Sequence, residues 1–208
     1  MKNGLKPGAG AIAEQPAALR EAVRQSRSPQ SDSALIAQAI AGVLRHAQDG
    51  DLPLFAWTLG LPQDAWLAML DAYFPELGAL EAMPSKAYAA IEKTAPGFFR
   101  QMAFMLYEQR QADANAVHAD WLARAIAAGC FGSRHLWQDL GLRGPDDVSA
   151  LLSAYFPALH AKNIQHLKWK RFLFAEAAAL AALRNDPEIM PPNCSRCDEF
   201  PICFPVES

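Results

Sequence analysis

The sequence is poor in the residue types that form strands or bind nucleic acid. Alanine and leucine far outnumber valine, isoleucine and threonine in its 208 residues, and this bias favours helices because unbranched side chains lose little rotamer freedom there. The 19 lysines and arginines are outnumbered by 22 aspartates and glutamates, so the chain lacks the positive excess that nucleic acid attracts. We therefore expect an all-α protein that does not bind nucleic acid.

Several segments and motifs of known activities are also missing. No apolar run reaches the roughly 18 residues of a membrane-spanning helix, and the N-terminus lacks the continuous apolar segment of a secretion signal. There is no glycine-rich phosphate loop, no G-x-S-x-G turn and no H-E-x-x-H zinc motif. We therefore expect a cytoplasmic protein without membrane contact, and the sequence gives no support for a hydrolase or a nucleotide-dependent enzyme.

Composition divides the chain into three parts. Glycine, proline and serine are frequent in residues 1–32, which we expect to form a mostly disordered arm. Helical periodicity begins at Ser33 and predicts a helical domain over 33–186. Its last helix is predicted from about Ala161 to Arg184, because the prolines that follow cannot continue it. Residues 187–208 then form a C-terminal tail.

The helical domain contains two similar copies, at about 35–77 and 121–159. The matching segments are 35–42 with 121–128, 59–61 with 140–142, and 72–75 with 154–157. Each copy predicts a helix, a short link and a second helix that stops at Pro75 or Pro157. The stretch between the copies is also helical and is predicted to break near Pro96. The predicted fold is a helical bundle of two similar helix-pair repeats with a cysteine-containing loop or tail.

Three of the four cysteines, Cys194, Cys197 and Cys203, lie within ten residues of the tail. In a reducing cytoplasm, close thiols indicate metal ligation before disulfides. The C-x2-C-x5-C spacing allows two sulfurs to face one metal or one face of a cluster, and thiolates select zinc, copper(I) or iron-sulfur clusters. Zinc would need a fourth ligand, which would have to be Asp198, Cys130 or a distant histidine. A metal-free tail on a helical interaction protein is the simpler alternative.

Other residues bear on metal chemistry outside the tail. Cys130 ends a helical pattern and is interpreted first as a buried apolar side chain. His135 and Asp139 are i, i+4 neighbours that can form a ligand pair or a proton relay, although a helix-terminal hydrogen bond is the simpler interpretation.

A basic stretch follows His166 at the start of the last predicted helix. Lys168, Lys170 and Arg171 are expected to point in different directions, because successive helical residues are turned by about 100°. The simple interpretation is a solvated helix start, yet the local positive charge also suits an anionic cluster or an oxyanion such as molybdate.

Taken together, several segments resemble the NifQ family of nitrogen-fixation proteins. They are WLARAIAAGCFGSRHLWQDLGL at 121–142, LLSAYFPALHAKN at 151–163, LKWKRFLF at 167–174 and PNCSRCDEFPICF at 192–204. The resemblance implies a molybdenum-iron-sulfur protein that donates molybdenum for the iron-molybdenum cofactor of nitrogenase. It implies a carrier and not an enzyme, with the cofactor-assembly scaffold and the nitrogenase iron protein as its partners.

The tail departs from the family at one position. The family pattern resembles C-x4-C-x2-C-x5-C, and Ile189 stands where its first cysteine is expected. Only the three tail cysteines carry over as cluster ligands, so the fourth ligand is open: Cys130, His135 and His166 are the candidates, or one corner of the cluster is free. A relative that has lost the donor function is a third possibility. The competing interpretation is a structural zinc site or a redox-sensing iron-sulfur site on a helical scaffold.

Overall fold

The protein is helical throughout the part that its structure describes. The computed structural model describes residues 32–180 and 189–204, and within these ranges every regular element is a helix. The predicted all-α class is therefore confirmed. The predicted N-terminal arm falls almost entirely outside the described residues, as does the predicted end of the last helix at 181–184. No helix in the described ranges is long and apolar enough to cross a membrane.

The helices follow one another with short connections. They are α1 (Asp32–Gln48), α2 (Gln63–Tyr73), α3 (Ser85–Glu92), α4 (Gly97–Glu108), α5 (Ala116–Gly129), α6 (Leu136–Asp139), α7 (Pro145–Tyr155), α8 (Pro157–Lys162), α9 (Trp169–Leu180) and α10 (Phe200–Cys203). Short 3-10 turns occur at Leu54–Trp57, Pro75–Leu77 and Cys194–Arg196. The two last elements, Cys194–Arg196 and α10, give the predicted tail a local helical structure.

Helix α5 lies at the centre of the bundle, between α1 and α4. Large and small apolar side chains alternate along it, and Leu122, Ala123 and Ile126 are completely buried. The small residues let neighbouring helices approach closely, while the large ones fill the space between them. Helix α9 packs on α4, and α7 packs on α1. A single hydrophobic core therefore connects the two predicted copies and supports α9, which carries part of the candidate site.

The predicted break at Pro96 is confirmed. Helix α3 ends at Glu92, and α4 begins at Gly97 with Pro96 as its N-cap. Proline cannot donate a backbone hydrogen bond and fits only the start of a helix. Pro157 acts similarly: α7 ends at Tyr155, and Pro157 occupies the first position of α8 rather than ending helical structure altogether.

The last predicted helix begins later than the sequence indicated. Its predicted start at Ala161 is wrong, because α8 ends at Lys162 and α9 begins only at Trp169. The Asn163 side chain donates to the carbonyl oxygen of Leu167 and accepts its N–H, both at 2.9 Å. This side chain closes a loop by replacing a backbone partner. The loop brings Lys168 beside the C-terminal tail.

The matching segments of the two copies share local backbone conformations. Gly60 and Gly141 both have positive φ, at 60° and 63°, and the residues before the two prolines, Phe74 and Phe156, both adopt φ near −135° and ψ near 55°. These agreements concern turns only, and the internal duplication stays a prediction.

Close backbone packing fixes α6 against α1. A Cβ atom at Gly42 would lie 2.1 Å from the carbonyl oxygen of Leu140, so only glycine fits there. Gln38 Nε2 also donates to the carbonyl oxygen of Gly141 at 2.9 Å. Helix α6 contains Asp139 and begins directly after His135. Its packing against α1 therefore anchors these two residues to the hydrophobic core.

Candidate metal centre

The three tail thiols line one cavity of about 280 Å³. Asn193 starts the turn Cys194–Arg196 with φ 61° and ψ 3°, a left-handed conformation that asparagine tolerates better than most residues. The amide of Cys197 then donates to the carbonyl oxygen of Cys194, and that of Cys203 donates to Glu199. Two successive turns thus bring the three cysteines of this ten-residue segment to one cavity.

Basic side chains of the helical body line the same cavity. They are Arg134, Lys168, Lys170 and Arg171. The prediction that the last three point in different directions is not contradicted, since Lys170 is buried and Lys168 is exposed. All three nonetheless line this cavity, and Lys168 precedes α9, so the helical angle does not apply to it. The tail lies across the start of α9, so the residues at this helix start reach one cavity. The site is therefore rich in both sulfur and positive charge.

Lys170 and Asp139 form a buried ion pair behind the cavity. Lys170 Nζ donates to Asp139 Oδ2 at 2.6 Å and to the carbonyl oxygens of Gly132 and Arg134 at 2.9 and 2.5 Å. Arg134 Nε donates to the other carboxylate oxygen at 3.1 Å. Asp139 is completely buried, and these partners compensate the cost of removing its charge from water. The ion pair joins α6, α9 and the 132–135 loop.

Gly132 is required by the same ion pair. A Cβ atom at this position would lie 2.3 Å from Asp139 Oδ2, which is closer than a side chain tolerates. The glycine therefore lets the loop pass directly over the carboxylate.

The ligand pair or proton relay considered for His135 and Asp139 does not form between their side chains. Asp139 bonds Arg134 and Lys170 instead. The simpler interpretation of a helix-terminal hydrogen bond holds, since the backbone N–H of Asp139 donates to the carbonyl oxygen of His135 at 3.1 Å. His135 is the N-cap of α6, and its backbone N–H donates to Gln138 Oε1 at 3.1 Å. Its imidazole ring lies at the cavity, where Nε2 is 3.5 Å from Glu199 Oε2.

Glu199 ties the tail to the helical body. Its Oε1 accepts a hydrogen bond from Lys168 Nζ at 2.9 Å, while Oε2 faces His135. The hydrogen bond from Lys168 lowers the pKa of Glu199 from its ordinary value. A second contact lies nearby, where the Arg171 guanidinium stands 4.7 Å from the ring centre of Phe204. Sequence reasoning assigned no role to Glu199, since nothing local distinguishes it from Asp198.

The remaining candidate ligands lie away from the cavity. Cys130 is completely buried in the hydrophobic core, and this burial raises the pKa of its thiol to about 12. His166 is exposed in the loop before α9, with φ 52°. Ile189, at the expected position of the first family cysteine, packs against the hydrophobic core. Of the three candidates for the fourth ligand, His135 alone lines the cavity with the tail thiols.

Cys194 and Cys203 are partly withdrawn from water, whereas Cys197 is exposed. Burial raises the pKa of Cys194 and of Cys203; the positive charges of Lys170 and Arg171 oppose the shift of Cys194, and those of Arg171 and Lys168 oppose the shift of Cys203. A metal must therefore displace protons from these thiols when it binds, since the thiolate is the ligand.

The cavity is much larger than a single metal ion. One water molecule occupies about 30 Å³ in the liquid, so a cavity of about 280 Å³ has space for a group of several atoms. Among residues 32–180 and 189–204, no three histidine, cysteine, aspartate or glutamate side chains are placed to hold one metal ion. The three thiols and the size of the cavity are suitable for a metal cluster in which each thiolate binds a different metal atom.

Comparisons with known proteins agree with the resemblance of the motifs. The model of the NifQ family matches residues 35–205, which include both the helical body and the tail. Protein NifQ of Azotobacter vinelandii is 27% identical over 173 residues, covering 79% of this chain and 86% of that protein. Protein NifQ of Klebsiella pneumoniae is 28% identical over 165 residues, covering 78% and 93%.

A shorter match is more similar in sequence. Protein NifQ of Rhodobacter capsulatus is 35% identical over 86 residues, covering 41% of this chain and 46% of that protein. No solved structure is significantly similar to the chain. Because the family model spans most of the sequence, the chain belongs to the NifQ family of nitrogen-fixation proteins.

Proposed function

We propose that this protein carries a molybdenum-iron-sulfur cluster and donates its molybdenum for assembly of the nitrogenase iron-molybdenum cofactor. The observation that carries the proposal is the shared cavity of the three tail thiols and four basic side chains. The cluster is a cargo, and the protein acts as a carrier rather than as a catalyst. Its proposed partners are the cofactor-assembly scaffold and the nitrogenase iron protein, in the cytoplasm.

The donor set suits such a cargo. Thiolates of Cys194, Cys197 and Cys203 bind iron corners of a cluster, and the resulting group is anionic because each thiolate and each sulfide adds negative charge. Lysine and arginine side chains at the cavity stabilise that charge. Lys170 does so without a hydrogen bond to sulfur, because its ammonium group already donates to Asp139, Gly132 and Arg134. The buried ion pair of Lys170 with Asp139 keeps part of this positive wall in place without the cluster.

The contacts between the tail and the body would allow the cluster to be released to a partner. Glu199 meets Lys168 at a partly exposed position, and ion pairs of this kind contribute about 0–1 kcal/mol. The contact of Arg171 with Phe204 is worth about 0.5–1 kcal/mol at an exposed site. A partner protein can therefore loosen these two contacts at a small free-energy cost and reach the cluster, while Ile189 stays packed against the core.

Anaerobic reconstitution tests the proposal. Purified protein is incubated with iron(II), sulfide and molybdate and then freed of unbound metal, after which metal content and visible absorption are measured. We expect bound iron and molybdenum with a cluster chromophore, and both are expected to be lost in Cys197→Ala. Cys130→Ala is the matched control, because its thiol lies in the core and not at the cavity. The loaded protein should then deliver molybdenum to the assembly scaffold.

Other outcomes would contradict the proposal. Zinc alone, without visible absorption, would indicate a structural zinc site, and an iron-sulfur cluster that never takes up molybdenum would favour a redox sensor. If Cys197→Ala changes neither metal content nor stability, the protein is a metal-free interaction protein.

A further inference from the structure

The position of His135 bears on the ligand that the tail lacks. Ile189 packs against the core and offers no donor atom. Cys130 lies in the core, and His166 is on an exposed loop outside the cavity lining. The imidazole of His135 is at the cavity wall together with the three thiols.

The structure also holds His135 in a fixed place. Its backbone is bonded to Gln138 at the start of α6, and α6 is joined to α9 through the ion pair of Asp139 with Lys170. His135 is therefore carried by the helical body, with a side chain that is 43% exposed, whereas the thiols belong to the tail. A donor on a fixed backbone loses less conformational entropy when it binds a metal than a donor on an unanchored segment.

Glu199 supplies the partner that a metal-bound histidine requires. Such a histidine usually donates its other ring N–H to a carboxylate or a carbonyl oxygen, which fixes the ring and makes the ligating nitrogen more basic. Glu199 Oε2 lies 3.5 Å from Nε2 of His135, somewhat beyond the usual length of a hydrogen bond. Lys168 Nζ donates to the other oxygen of the same carboxylate at 2.9 Å, and this contact orients the acceptor toward His135.

We propose that the His135 imidazole is the fourth protein ligand of the cluster, beside the thiolates of Cys194, Cys197 and Cys203. This inference rests on the proposed cluster-carrying function. The cluster then joins the body to the tail, with one neutral nitrogen ligand and three thiolates. Because imidazole carries no charge, the loaded site is one unit less negative than a four-cysteine site. Histidine in place of cysteine raises the reduction potential of an iron-sulfur cluster.

Nitrogen hyperfine spectroscopy tests this ligand directly. The protein is reconstituted anaerobically with iron(II), sulfide and molybdate, brought to a paramagnetic oxidation state and measured by pulsed EPR. We expect a directly coordinated nitrogen whose coupling changes to that of the other isotope when the protein is labelled with ¹⁵N-histidine. The coupling should disappear in His135→Ala and persist in His166→Ala, which changes an exposed histidine outside the cavity lining.

A second variant keeps the ligand assignment testable if His135→Ala does not fold. His135→Cys supplies a fourth thiolate, so it should bind the cluster, lose the histidine coupling and shift the reduction potential to a lower value than in the wild type. The isotope experiment on the wild-type protein needs no variant.

The results separate this inference from the proposed function. If the wild-type protein binds a cysteine-dependent cluster without histidine coupling, or if the coupling persists in His135→Ala, the ligand assignment is wrong and the carrier function stands. If the wild-type protein binds no cluster, both are wrong.

Discussion

The helical body and the C-terminal tail differ in how they are held. In the body, large side chains such as Trp66, Phe99 and Phe156 are almost completely buried, and charged groups that enter the interior are paired. In the tail, Cys197 is exposed, and Ile189 packs against the core. Nearer the cysteines, the tail meets the body through Glu199 with Lys168 and Phe204 with Arg171. The body thus provides basic side chains on a packed core, while the tail supplies the thiols from a less buried segment. The difference suits the proposed function, in which a cluster is held and later released.

Thiol reactivity should show the largest difference between the two regions. Cys130 can react only after an opening that costs on the order of 5 kcal/mol or more, so its alkylation should be at least about a thousandfold slower than that of the tail cysteines. Timed alkylation of the metal-free protein, followed by peptide mass spectrometry, measures each rate. Equal rates for Cys130 and Cys197 would show that the body is not closed around Cys130.

Removal of the buried carboxylate should destabilise the body strongly. Asp139→Ala leaves the ammonium group of Lys170 without its charged partner, and breaking a buried ion pair in this way costs about 3–5 kcal/mol. Urea unfolding followed by circular dichroism measures the loss. Asp147→Ala removes the carboxylate of an exposed pair with Arg143 and should cost clearly less. Equal losses would mean that burial does not determine the role of Asp139.

Alkaline pH should weaken the body through Cys130. Burial raises the pKa of this thiol from 9.0 to about 12, so the folded state keeps its proton at a pH where the unfolded state has lost it. The contribution of the protonated thiol to the free energy of unfolding is complete below about pH 9 and is lost as the pH rises toward about 12. At about pH 10.5 the free energy of unfolding should be lower by roughly 2 kcal/mol.

The Cys130→Ala variant isolates this contribution. Its free energy of unfolding should fall less steeply than that of the wild type over the same alkaline range, as measured by urea titrations at several pH values. Parallel curves would assign the alkaline loss to other groups.

A weaker contact between the tail and the body should change thiol reactivity and stability least. Glu199→Gln removes the charge that faces Lys168 and His135, a contribution of about 0–1 kcal/mol. Alkylation of Cys203 should accelerate by no more than about fivefold, while the thermal unfolding midpoint stays unchanged. Asp198→Asn, at the exposed neighbouring carboxylate, is the matched control. A large fall in the unfolding midpoint for Glu199→Gln would show that the tail is part of the body.

Much of the fold follows from local signals. The break before α4 was predictable because Pro96 excludes a continuous helix. The start of α9 was not, because the side chain of Asn163 closes a loop with Leu167 that apolar periodicity does not report. Likewise, the helical angle could not show that Lys168 and Lys170 line one cavity, since Lys168 precedes α9.

The candidate site was predictable only in part. The spacing of the tail cysteines identified them as candidate ligands, but it gave three equivalent choices for a fourth. The structure distinguishes these choices by placing Cys130 in the core and His166 outside the cavity. Glu199 could not have been selected, because its role depends on contacts with His135 and Lys168, which are distant in sequence.

The sequence by itself determined the helical class, the proline-defined breaks and the motifs that indicate the family, because these depend on neighbouring residues along the chain. Tertiary structure alone decided that Asp139 pairs with Lys170, 31 residues away, and that His135 shares a cavity with the tail thiols. The physical reason is that burial and charge pairing depend on which segments meet when the core forms, and periodicity describes one helix at a time.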